Sequence, residues 1–146
     1  MSSTWIFDSE NVIYTVVKKR VSTALLTAYP SLRFTSDDDN ATDTQFPTVY
    51  IHWLPGYEMA RELKNTEINA AQCDVQIEVY TNREQGQKSA KEVMAEVIQN
   101  FVILGFEIYQ MPEFLSTGND TKRMVARARR TLASGDTLYT NNNGGS

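Results

Sequence analysis

The segment from Cys73 to Phe106 constrains the fold more than any other part of the chain. Cys73, Val75, Ile77 and Val79 alternate with Asp74, Gln76, Glu78 and Tyr80, and a period of two marks a strand with one buried and one wetter face. Thr81-Asn82-Arg83-Glu84 follows and matches the Ser/Thr-x-x-Glu capping box. Ala90, Val93, Met94, Val97, Ile98 and Phe101 then form one helical stripe, with Gly105 as its stop. A strand that runs straight into an amphipathic helix calls for a sheet with the helix laid against it.

The rest of the chain extends that unit. Asp8 or Ser9 is positioned to cap a helix whose apolar residues Ile13, Val16, Val17, Val21, Ala24, Leu25 and Ala28 recur at three- and four-residue steps, up to Pro30. Leu32–Thr35 alternates as a short strand, and Thr48–Leu54 reads as a stronger one between Pro47 and the Pro55-Gly56 turn. The stretch from Tyr57 to Gln72 is a polar excursion, either one helical turn around Met59, Ala60 and Leu63 or a long hairpin arm. Phe106–Met111 predicts a further strand, Pro112–Asp120 a loop, and Lys122–Leu132 a last strand antiparallel to its predecessor.

Strands outnumber helices and several links are short. The expected fold is therefore α+β, a mainly antiparallel sheet with two helices packed on one face. Residues 1–139 read as a single domain, and 140–146, Thr-Asn-Asn-Asn-Gly-Gly-Ser, as a flexible tail with nothing apolar to bury. No stretch approaches the ~20 apolar residues of a membrane span. The N-terminus carries no basic and apolar signal pattern, which suits a cytoplasmic chain.

Chemistry is hard to build from these residues. Cys73 is the one cysteine and His52 the one histidine. That excludes an intramolecular disulfide and a multi-cysteine zinc site. Cys73 falls on the apolar side of its strand, where a thiol is a small hydrophobe rather than a nucleophile. His52 reads as a side chain at a sheet surface or subunit contact. The run Asp37-Asp38-Asp39-Asn40-Ala41-Thr42-Asp43 lacks the glycine and the final glutamate of a calcium loop. No phosphate loop or paired-carboxylate motif is present, so the expectation is a protein with no cofactor, no metal and no catalytic residues.

Charge segregation is the positive signal. Phe34–Ala60 holds no Lys or Arg but contains Asp37, Asp38, Asp39, Asp43 and Glu58. Thr121–Gly135 holds no acid but contains Lys122, Arg123, Arg127, Arg129 and Arg130. In a strand Arg123, Arg127 and Arg129 share one face, opposite Met124, Ala126 and Ala128. Pairing with Asp74 and Glu78 of a neighbouring strand is the plain reading. A basic patch for DNA is a second, against a chain whose net charge is −4. Copies arranged head to tail, acidic loop against basic strand, are a third, and such heterologous contacts close into rings.

Several segments together resemble the tail-terminator (tail-completion) proteins of long-tailed bacteriophages. They are Pro47–Gly56, Ala60–Ala70 with its Thr-Glu-Ile-Asn-Ala stretch, Val75–Asn82, the helix ending Leu104-Gly105-Phe106, Arg123–Arg130, and Gly135-Asp136. The likeness covers roughly Ser9 to Asp136. It implies an α+β subunit that forms a ring, typically a hexamer, in the virion. The ring caps the tail tube, stops its polymerisation and offers its other face to the head-tail connector protein, while DNA passes through the lumen without specific binding. The expected contacts between subunits or with the tail tube protein are Tyr57, Arg61, Glu62 and Glu67 of the arm and Arg123, Arg127, Arg129 and Arg130 of the basic strand. Asp37, Asp38, Asp39 and Asp43 form the expected acidic interface loop. A head-completion or connector adaptor of the phage neck is the alternative, and a nucleic-acid-binding protein a more distant one.

Overall fold

A computed structural model describes residues 5–36, 46–54, 59–61, 68–82, 86–115 and 121–133. Helix α1 spans Trp5–Lys19 and α2 Thr23–Ala28; strands follow at β1 Arg33–Thr35, β2 Thr48–Trp53, β3 Met59–Arg61 and β4 Ile68–Thr81. Helix α3 is Gly86–Ile103, and β5 Glu107–Leu115 and β6 Lys122–Ala133 complete the chain. The strands form one sheet in the order β1-β2-β4-β6-β5, with β3 also paired to β4. Only β1 and β2 run parallel among these pairs; the others are antiparallel. The fold is α+β, as the pattern of elements predicts.

One face of the sheet carries the core. Val49 and Ile51 of β2, Cys73, Val75, Ile77 and Val79 of β4, and Met124, Ala126, Ala128 and Leu132 of β6 meet Ile13 and Val17 of α1, Val21 of the link and Leu25 of α2. Ala90, Val93, Met94, Val97 and Phe101 of α3 close the layer. Burying a side chain the size of Phe101, which is fully buried, contributes about 1.5–3 kcal/mol. The helices of the described residues share this one face, and there are three of them rather than two.

The difference lies in the first helical stretch. It begins at Trp5, ahead of Asp8, and breaks after Lys19. Ser22 adopts an extended conformation (φ −69°, ψ 152°) and N-caps α2, its Oγ accepting from the Leu25 amide at 3.1 Å. The Glu96 carboxylate of α3 accepts from both the Ser22 amide and, at 2.8 Å, the Ser22 hydroxyl. Asn100, buried in α3, donates from Nδ2 to the Val17 carbonyl at 3.2 Å, satisfying one of the orphan acceptors at the end of α1. Two side chains of α3 thus hold the break open. The four-residue spacing of Ile13, Val17, Val21 and Leu25 runs through it because both helices face the same core.

Thr81 ends β4 and donates its hydroxyl to the Gly86 carbonyl at 2.9 Å, in the first turn of α3; Arg83 and Glu84 of the expected box lie outside the described residues. Strand β5 continues through Pro112 to Leu115, with register irregularities between Ile108 and Gln110 and between Gln110 and Glu113; an edge strand tolerates proline because one side of its ladder is open. The undecided 57–72 segment contains β3 paired to the first residues of β4, which is the hairpin option.

The C-terminus of α3 follows the expected glycine stop in detail. Gly105 has φ +91°, its amide bonds to Val102 O at 2.9 Å, and the Phe106 amide bonds to Phe101 O at 3.0 Å. This is a Schellman closure, and its accompanying apolar contact is the edge-on Phe101–Phe106 pair, 5.1 Å between centroids. No described helix is long and apolar enough to cross a membrane.

Candidate functional site

The sheet face opposite the helices is where the chemistry-bearing side chains collect. Strand alternation puts Tyr50 and His52 of β2, Gln76, Glu78 and Tyr80 of β4, and Arg123, Val125, Arg127 and Arg129 of β6 on that side. The register brings them into rows: Tyr50–Glu78–Val125 and His52–Gln76–Arg127 lie directly across from one another.

Glu78 is the centre. The alternation predicts a wetter position, yet Glu78 is 2% exposed. Four side chains enclose its carboxylate. His52 Nε2 is 2.8 Å from Oε2 and Gln76 donates to the same oxygen at 2.8 Å. Tyr80 OH donates to Oε1 at 2.7 Å, and Arg123 Nε does so at 2.6 Å. Burial alone would push the pKa of this group up; the bonds from His52, Arg123, Tyr80 and Gln76 outweigh burial and hold it well below the usual carboxylate range. Burial, followed by the hydrogen bond to Glu78, pushes the Tyr80 phenol up. Tyr50 stacks on His52 with centroids 4.2 Å apart and planes 10° from parallel. Tyr50 and Tyr80 pack with Phe46 as a small apolar cluster beside the carboxylate.

The arginines of β6 divide by partner. Arg123 pairs with Glu78, as the plain reading expects. Arg129 lies across from Asp74 in the ladder but bonds Glu107 at 3.2 Å and sits 4.8 Å from the Tyr109 ring centroid. Asp74 instead accepts weakly from Gln72 and from Tyr109 OH, at 3.3 and 3.4 Å. Arg127 Nε donates to the neutral Gln76 amide at 2.9 Å. Arg130 is on the other face: its guanidinium donates to the Leu104 carbonyl and lies against Gly105. It is a helix-end clamp and does not belong to the basic row.

Of the other expected interface residues, Arg61 falls in β3. Tyr57, Glu62, Glu67, Asp37, Asp38, Asp39 and Asp43 lie outside the described residues, as does 140–146. Cys73 and His52 occupy opposite faces of the sheet, so they cannot act as a thiol–imidazole pair. Cys73 is fully buried; burial first, then the nearby charges of Glu10 and Asp74, pushes its thiol up to about 12. Among the described residues no three His, Cys, Asp or Glu side chains are grouped to hold a metal ion.

The sequence reading missed the hub itself. Its signal was present: Tyr50, His52, Gln76, Glu78, Tyr80 and Arg123 all fall on the non-core parity of adjacent strands. Compared with known proteins, the chain matches no protein-family model and no curated protein.

Proposed function

We propose that this protein is a structural assembly subunit, the terminator of a long-tailed phage tail. Copies form a ring, typically a hexamer, that caps the tail tube, stops its polymerisation and presents its other face to the head-tail connector. DNA passes through the lumen without specific binding. The role is mechanical rather than catalytic, and its place is the virion, after assembly in the host cytoplasm.

The observation that carries this reading is the two-sidedness of the sheet. The three helices bury one face, and the other is a polar surface cross-linked through Glu78 across β2, β4 and β6. Such a face is built to keep its shape under contact, since its charged groups are already fixed by partners. The resemblance of Pro47–Gly56, Ala60–Ala70 and Val75–Asn82 to tail terminators supplies the particular assembly. A DNA-binding role is less well supported: Arg123, Arg129 and Arg130 are engaged by Glu78, Glu107 and the Leu104 carbonyl, which occupies three of the four β6 guanidinium groups that would meet phosphates.

Electron microscopy of particles made without the protein tests the reading. Overlong tubes are the expected result. Tails of normal length that fail to join heads would assign the chain to the neck as an adaptor instead.

A further inference from the structure

We propose that Arg127 and His52, standing on either side of Gln76, form a binding site for a terminal phosphate group, that of inorganic phosphate or of a phosphate monoester.

Arg127 differs from its neighbours on β6 in its company. Arg123 and Arg129 each bond a glutamate. Arg127 Nε donates to the neutral Gln76 amide at 2.9 Å, and among the described residues its guanidinium has no carboxylate. The side chain is half-buried on the sheet face that the helices leave uncovered. Of the five N–H donors of a guanidinium, the Gln76 bond uses one and fixes the group, which leaves the Nη fork for a ligand.

The register sets His52 directly across Gln76 from Arg127. Their strands are about 10 Å apart across β4, and both side chains lean inward, Arg127 to Gln76 and His52 to Glu78. Tyr50 stacks on the imidazole and holds its plane. An ionised Glu78 can only accept, so His52 Nε2 carries the proton of their 2.8 Å bond. Nδ1 is the atom left over: it has no bond among the described residues, and the side chain is 25% exposed. Between the two lies Gln76, buried, its amide held at one end by Arg127 and at the other by Glu78.

A terminal phosphate presents three acceptor oxygens. Two suit the planar guanidinium fork. The third meets Nδ1 through a single proton, given by the imidazole when it is charged and by the phosphate when it is not. A phosphodiester, as in DNA, and a carboxylate each have two such oxygens, which the arginine alone would take, leaving His52 unused. Asp74, in the next row of this face, is bonded by Gln72 and Tyr109 rather than by Arg127. Its charge opposes any anion here, so the expected affinity is modest, with a dissociation constant of about 1 mM. The site goes beyond the ring reading and does not depend on it.

His52 is the one histidine of the chain, so its ring signals in a proton–carbon NMR spectrum of the full chain report on the site without ambiguity. Inorganic phosphate, O-phosphoserine, dimethyl phosphate and acetate are titrated separately at about pH 6.5, near the second ionisation of a phosphate, with ionic strength held constant by sodium chloride. Phosphate and O-phosphoserine should give saturable shifts with similar constants, and dimethyl phosphate and acetate should bind about tenfold more weakly. Arg127→Gln should weaken phosphate by about tenfold or more, Arg127→Lys by less, and Arg129→Gln, on the same strand, should change nothing. Matching thermal melts would show that each variant keeps the fold. The proposal is overturned if phosphate up to about 50 mM gives no saturable shift in the unaltered chain, or if Arg127→Gln leaves the constant as it was. It is equally overturned if Arg129→Gln weakens phosphate as much as Arg127→Gln does, or if the diester or acetate binds as tightly as phosphate.

Discussion

His52 Nε2 reaches Glu78 Oε2 at 2.8 Å on a diagonal, from one row away across the β2–β4 ladder. The direct cross-strand neighbour of Glu78 on β2 is Tyr50, whose ring lies flat against the imidazole. A slip of one residue between the strands would move His52 to the core face and leave a buried anion short of a partner. The outer network therefore specifies register as well as adding bonds.

Removing the Glu78 charge should be costly and should change the acid limb of stability. The carboxylate is held below its ordinary range in the folded chain, so its contribution is present above the unfolded value and fades as pH falls from about 5 toward the lowered folded value. Glu78→Ala is expected to cost about 3–5 kcal/mol at neutral pH, as for one partner lost from a buried pair. Urea titrations from neutral to acidic pH check both points: Glu78→Gln should show the flatter acid limb.

Glu10 should behave in the opposite sense. Burial raises its carboxyl to about 7, so the folded chain holds a proton that the unfolded chain has lost, and this contribution declines as pH rises from about 4.5 through 7. Glu10→Gln should stabilise the protein at about pH 8 and change little at about pH 4, as read from melting temperatures at the two values.

Ser22 and Glu96 form one unit at the start of α2. Ser22→Ala removes both the N-cap acceptor for Leu25 and the hydroxyl donor to Glu96, for an expected loss of about 0.5–2 kcal/mol. Glu96→Ala should cost a comparable amount. The two losses should not add, because they share the same bond; a double-mutant cycle in denaturant measures the coupling.

Gly105→Ala meets a backbone obstacle. At φ +91° an L side chain is strained by about 1–2 kcal/mol, although its Cβ would sit at an ordinary contact distance, 3.5 Å, from the Arg130 guanidinium. Equilibrium unfolding should show that loss. Arg130→Ala should also destabilise the chain, by leaving the Leu104 carbonyl without its donor.

Where local pattern and tertiary need agreed, the chain was readable in advance. Cys73 to Val79 and Ala90 to Phe101 show their periods because each has one neighbour layer to satisfy. The break at Ser22 was hidden because Val21 and Leu25 continue the period of α1 into the same core, and the cause is Glu96, 74 residues away. Glu78 was hidden for a related reason: an acid alternating with valines looks solvated until Arg123, His52, Tyr80 and Gln76 are brought around it. Arg130 shares a run with Arg127 and Arg129, but parity gives it a different job on the other face.

Strand β4 has two neighbours on a single edge, β3 along its first residues and β2 along its last, while β6 follows the other edge from Ala70–Ala133 to Thr81–Lys122. The hairpin and the Glu78 hub are therefore stations on one continuous spar. A tug on the β3 end is borne in shear by the whole β4–β6 ladder at once, with no joint at which to yield.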